Sequence, residues 1–146
     1  MDDAPDTNGI HASTRVTNDR DRIDALWRAI EAAMAGRGYP QASQFAVRLA
    51  LEEAMTNAFR HGLRDLPEDT PITVDYGIDR DLVRIAVEDP GPGFNPDIVP
   101  DPTLDENLTR PGGRGLLLIR AYMTRTSFAN RGRRLEMEYE RPAGGD

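Results

Sequence analysis

Between residues 20 and 61 the apolar side chains recur at helical spacing. Ile23, Leu26, Trp27, Ile30, Ala33 and Met34 fall three or four apart, which predicts an amphipathic helix capped by Asn18 or Asp19 and stopped at Gly36 and Gly38. A second helix is expected from Pro40 or Gln41 to His61, with Val47, Leu51, Ala54 and Ala58 as its apolar stripe and Gly62 as its stop. Elsewhere the period drops to two. Ile10, Ala12, Thr14 and Val16 alternate along a short strand, residues 10–17. Segments 72–78 and 82–88 read as strands of a hairpin turning at Asp79-Arg80-Asp81, and segments 125–130 and 134–140 as a second pair turning at Arg131-Gly132. GGRG at 112–115 opens a last helix, Leu116 to about Met123. The order β-α-α-β-β-loop-α-β-β predicts an α+β, two-layer α/β sandwich, with three helices on one face of a mostly antiparallel mixed sheet.

Two stretches obey neither period. DPGPGF at 89–94 cannot continue a strand, because its prolines and glycines break the ladder. Residues 95–111 carry four Pro and several acidic side chains. Structureless stretches of that length are uncommon except as lids and binding segments. The expected organisation is one domain over 10–141 with a lid at about 95–115, between disordered tails at 1–9 and 142–146.

Composition narrows the function. A length of 146 residues suits one domain with a real core. The net charge of −7 sets 25 acidic residues against 18 basic ones, all Arg, so direct nucleic-acid binding, which draws on clustered positive charge, is not expected. The absence of Cys excludes disulfides, thiol nucleophiles and Cys-based metal sites. The acidic start, MDDAPDTNGIH, is unlike a signal peptide, and no run of 18 apolar residues exists. A cytoplasmic protein that makes no membrane contact is therefore expected.

Three constellations have chemical potential. Glu53, Asn57 and His61 are spaced four apart, so a helix carries them along one side, at the margin of the apolar stripe. Such a row is either an exposed edge, with His61 favourable near the helix C-terminus, or a site offering a carboxylate base, an amide oxygen for a hard cation such as Mg²⁺, and an imidazole. In DPGPGF, Asp89 at a strand end is followed by Gly91 and Gly93. This is a tight turn with a surface carboxylate, or a place where a ligand approaches the backbone and donates an amino hydrogen to Asp89. GGRG before a helix is a hinge, or a cradle in which backbone N–H groups meet phosphate oxygens. It lacks the Lys-Ser/Thr of a P-loop, and no βαβ unit surrounds it as a dinucleotide fingerprint requires. Trp27 reads as core or a subunit contact, and His11 as a residue near a chain end with no specific role.

Read in order, the row 53–57–61, DPGPGF, the lid-like loop and GGRGL resemble the three nucleotide-binding boxes of the GHKL ATPases, the gyrase and histidine-kinase superfamily with its Bergerat ATP-binding fold. The resemblance spans about residues 15–140. Glu53 and Asn57 match the first box, Asp89, Gly91 and Gly93 the second, and Gly113 and Gly115 the glycine pair of the third. A short domain carrying E-A-x-x-N-A-x-x-H, here Glu53, Ala54, Asn57, Ala58 and His61, is most similar to the anti-sigma-factor serine/threonine kinases.

The resemblance implies an ATP- and Mg²⁺-dependent protein serine/threonine kinase that phosphorylates a STAS-domain anti-sigma antagonist, also sequesters a sigma factor, and works as a homodimer. Glu53 would be the general base and Asn57 the Mg²⁺ ligand. Asp89 would hold the adenine amino group, with Gly91 and Gly93 admitting the base. Gly112, Gly113, Arg114, Gly115 and Leu116 would wrap the phosphates, with His61 nearby; Arg114 and Arg110 would neutralise phosphate charge, or Arg110 would face a protein partner. One departure stands out. The family often carries Gly-Thr in the penultimate turn, where Thr helps to seat adenine, and here the chain reads Gly132, Arg133, Arg134. Two other readings compete: an ATP-gated module that sequesters a partner without phosphorylating it, and the ATP-binding half of a histidine kinase. The latter is disfavoured because the first helix is short and lacks a phospho-accepting His on a dimerising hairpin.

Overall fold

The computed structural model of the chain describes residues 9–63, 65–91 and 113–142. Strand β1 (Ile10–Val16) leads into helix α1 (Arg20–Gly36), which is followed by α2 (Gln41–Asn57) and a π-helical turn (Ala58–Gly62). Strands β2 (Ile72–Ile78) and β3 (Leu82–Glu88), helix α3 (Gly113–Tyr122), and strands β4 (Arg125–Ala129) and β5 (Arg134–Glu140) complete the order. Most of the expected tails and of the expected lid lies outside the described residues.

Local chemistry explains the helix ends. Asp19, in extended conformation, accepts the Asp21 N–H at 2.9 Å and so caps α1, a contact that contributes about 1 kcal/mol. At the other end Gly38, at φ +79°, takes the left-handed conformation that reverses the chain. Helix α2 has no side-chain cap; its first turn is closed instead by the Ser43 and Gln44 N–H groups donating to the Pro40 carbonyl. The strand turn at 130–132 has positive φ at Asn130, Arg131 and Gly132.

The five strands form one open sheet in the order β1-β2-β3-β5-β4. Every pairing is antiparallel, which corrects the expectation of a mixed sheet. The crossover through α3 does join two strands running the same way, β3 and β4, but β5 hydrogen-bonds between them, so no parallel neighbours arise among the described residues. Alternation along the strands then sets the two faces. Ile72, Val74, Ile78, Val83, Ile85, Leu135 and Met137 are buried beneath Ile30, Met34, Leu51, Met55 and Ile119 of the helices. Each such side chain stabilises the fold by about 1.5–3 kcal/mol. Trp27 joins this core, with the Arg48 guanidinium 5.8 Å from its ring centroid.

The opposite face is ionic. Arg134 bridges Asp75 at 2.7 Å, Glu136 at 3.0 Å and Glu88 at 3.2 Å, and the Ser13 hydroxyl donates to Asp75. His11 also has a place here: it lies over Gly77, where an added Cβ would come within 2.7 Å of its Nδ1. Among the described residues, no helix is long and apolar enough to cross a membrane.

Candidate functional site

The C-terminal half of α2 builds the site because its stripe of small and apolar residues, Leu51, Ala54, Met55 and Ala58, is buried against the sheet. That anchoring leaves Glu53 and Asn57 half-buried at the margin of the core. The helix reaches as far as expected, but residues 58–62 wind as a π-turn. A π-turn is wider than an α-turn and often marks a functional position. It carries His61, half-buried, out of the straight ladder that a regular helix would give, and delivers Gly62 to the end of β3.

At that point backbone and carboxylate interlock. A Cβ on Gly62 would sit 2.2 Å from the Asp89 carboxyl carbon, and one on Gly91 would sit 2.1 Å from the Gly62 carbonyl oxygen. Only glycine permits both approaches. The Gly91 N–H donates to Asp89 Oδ1 at 2.9 Å, and the Asp89 N–H donates to the Arg133 carbonyl at 2.9 Å. Burial raises the Asp89 carboxyl above the usual carboxylate range, against the opposing pull of the Gly91 amide and the charge of Arg133.

The other half of the site lies where α3 begins. Leu116, Ile119 and Met123 hold this helix on the core. Its Gly115 then comes so close to α2 that a Cβ there would lie 3.0 and 3.3 Å from the Asn57 amide atoms and 3.1 Å from Glu53 Oε1. The N-terminal turn of a ten-residue helix, with its outward N–H groups and positive dipole end, thus stands over a carboxylate and an amide. That arrangement suits an anionic ligand.

The residues singled out from sequence therefore gather in two groups along one helix, Glu53, Asn57 and Gly115 at one place and Asp89 and Gly91 at the other. His61 directly precedes Gly62, which meets the second group. Leu116 turns partly into the core, and Gly113 is the first residue of α3. Gly93, Gly112, Arg110 and the Arg114 side chain lie outside the described residues. Gly62, expected only as a helix stop, is the residue that lets Asp89 approach; a glycine directly after the E-A-x-x-N-A-x-x-H string was the available signal. Among the described residues no three His, Asp or Glu side chains cluster as a metal cage. The donor set fits a hard ion that takes one amide oxygen from the protein and its other ligands from phosphates and water.

Residues 16–139 match a family profile described as the histidine kinase-like ATPase domain, and the chain belongs to that family. Among curated proteins it is similar to the serine-protein kinase RsbW of Listeria monocytogenes, strain EGD-e, at 36% identity over 83 residues. RsbW of Listeria innocua is 35% identical over 83 residues. Each alignment covers 53% of this chain and 52% of the relative, so the chain spans about half the length of the curated relatives it matches.

Proposed function

We propose that the protein is a cytoplasmic, ATP-dependent serine/threonine kinase of the anti-sigma type, which phosphorylates a STAS-domain antagonist and sequesters a sigma factor in a partner switch. The observation that carries this reading is the approach of Gly115 to Glu53 and Asn57, which sets a potential base beside a helix N-terminus suited to phosphate. ATP would lie along α2, its adenine amino group donating to Asp89 and its phosphates at the start of α3. Asn57 would hold Mg²⁺, which when bound neutralises phosphate charge. The substrate hydroxyl oxygen attacks the γ-phosphorus, the bond to the β,γ-bridging oxygen breaks, ADP leaves, and the hydroxyl proton passes to Glu53. Little covalent work falls to the protein in such a transfer; positioning and charge neutralisation dominate. The names of the RsbW relatives support the serine-kinase class, and retention of Glu53 supports transfer over mere binding.

Calorimetric titration of Mg²⁺-ATP into wild type and Asn57→Ala tests the site; binding is expected in the first and loss in the second. Radiolabel transfer to a STAS-domain antagonist then tests the chemistry. Glu53→Gln is expected to bind ATP normally and to lower the transfer rate by about 10²–10⁴-fold. Binding with no transfer by wild type would replace this reading with the ATP-gated sequestering module, which the loss of the family's Gly-Thr at Gly132-Arg133 favours. Acid-labile phosphate on His11 or His61 would point to the histidine-kinase class instead.

A further inference from the structure

Asp89 has a neighbour that the family pattern does not contain. The β3–β5 ladder closes at Glu88 opposite Arg134, and the Asp89 N–H extends it by one bond to the Arg133 carbonyl. Alternation sends Glu88 and Arg134 to the outer face, where they pair at 3.2 Å, and puts Asp89 and Arg133 on the helix side, in line with buried Val87 and Leu135. Directly opposed residues of two strands bring their Cβ atoms within about 5.5 Å. Arg133 is also held at its root. Its backbone N–H (3.2 Å) and its Nε (3.0 Å) both donate to the Asn130 carbonyl, within the left-handed turn of Asn130, Arg131 and Gly132. Arg133, half-buried, is thereby fastened directly across the ladder from half-buried Asp89.

We propose that Arg133 is a positioning residue of the base pocket: it keeps Asp89 ionised, and so makes the site discriminate adenine from guanine. This rests on the nucleotide reading above. An ionised carboxylate can only accept a hydrogen bond, which suits the 6-amino group of adenine and repels the 6-oxygen of guanine. A protonated Asp89 could donate to that oxygen, and the discrimination would relax. Burial pushes Asp89 towards the protonated form, as does Glu88 on the same strand, while Arg133 and the Gly91 amide oppose them. The imidazole of His61 precedes Gly62 on the π-turn that meets this strand end.

The test is the ratio of ATP to GTP affinity between pH 5.5 and 8 in wild type, Arg133→Gln and Arg133→Lys, with folding checked by circular dichroism. Wild type is expected to keep a constant ratio. Arg133→Gln should lower the ratio at the acid end and recover it at pH 8, and Arg133→Lys should behave as wild type. A ratio that does not change with pH in Arg133→Gln, or an equal loss for both nucleotides at every pH, would overturn the proposal. Carboxyl NMR titration of Asp89 in the nucleotide-free protein separates the two readings. If neither nucleotide binds, the kinase reading fails. Arg133 is still required to hold the Asp89 titration below where burial alone would put it, and an unmoved Asp89 in Arg133→Gln would refute the inference independently.

Discussion

The β3–β5 ladder ends twice in the same way, with an Arg opposite an Asp, and the two ends are put to different use. At one end the Arg141 N–H donates to the Asp81 carbonyl at 2.8 Å. The Arg141 guanidinium then donates to the carbonyls of Arg37 and Gly38 at 2.7 Å each, and to that of Arg80 at 3.2 Å, and lies 5.0 Å from the Tyr39 ring centroid. Buried Tyr39 in turn donates to the Asp79 carbonyl at 2.9 Å. At the other end the Asp89 N–H donates to the Arg133 carbonyl, but among the described residues the Asp89 carboxylate receives one amide bond, from Gly91, and faces the bare backbone of Gly62. One Arg is bonded to three carbonyls and ties the end of α1 to the sheet. The other lies across the ladder from a carboxylate that, among the described residues, has acceptor capacity to spare. A buried polar group with its partners complete is a fastening; one with lone pairs left over and a glycine opposite is a place for a ligand.

The largest expected effect breaks the second end. Gly62→Ala places a methyl group inside the Asp89 carboxyl, so Asp89 must move. ATP affinity, measured by calorimetry, should fall by at least about 100-fold, equivalent to roughly 2.7 kcal/mol. Thermal stability should change little by comparison, because the displaced side chain is at the edge of the core. Next comes the first end. Arg141→Ala removes a charged donor from three carbonyls and is expected to cost about 2–3 kcal/mol in chemical denaturation, leaving ATP affinity unchanged. Loss of affinity with stability intact would reverse the roles assigned to the two ends.

The smallest effect is in the pH dependence of stability. Asp89 titrates above its unfolded value, so the folded chain holds that proton to higher pH than the unfolded chain. Its contribution therefore declines as pH rises from about 4 through the folded value. Asp75 behaves oppositely. The Ser13 hydroxyl, followed by Arg134, holds its carboxyl below the usual range against some desolvation, so its stabilisation is complete above about 4 and is lost as pH falls further. Denaturant midpoints from pH 3 to 7 should show the decline above pH 4 flattened in Asp89→Asn, and the fall below it flattened in Asp75→Asn. A slope above pH 4 unchanged in Asp89→Asn would mean that Asp89 is not the buried carboxyl responsible.

Much of this was legible in the residues. Strands β2, β3 and β5 run over the residues that period-two alternation picks out, and Asp19 is one of the two caps expected for α1. The spacing of Glu53 and Asn57 placed them together, whereas the glycines expected ahead of a helix from Leu116 lie in its first turn, where Gly115 approaches α2. What escaped notice were features made by two distant segments at once. Gly62 and Arg133 look like a helix stop and a surface turn residue until β3 sets Asp89 between them, and His11 looks idle until β1 lays it over Gly77.

The sequence by itself determined the elements, their buried faces and the residue types at the site, because periodicity, caps and turn chemistry act within a few residues of the chain. Only the tertiary structure decided that β5 inserts between β3 and β4, and that the end of α2 unwinds into a π-turn against Asp89. It also decided that Arg141, just past β5, fastens the fold while Arg133, just before it, lies across the ladder from that carboxylate. Those outcomes depend on which segments meet across tens of residues, and the free energy that selects them comes from burying whole faces together rather than from any local pattern.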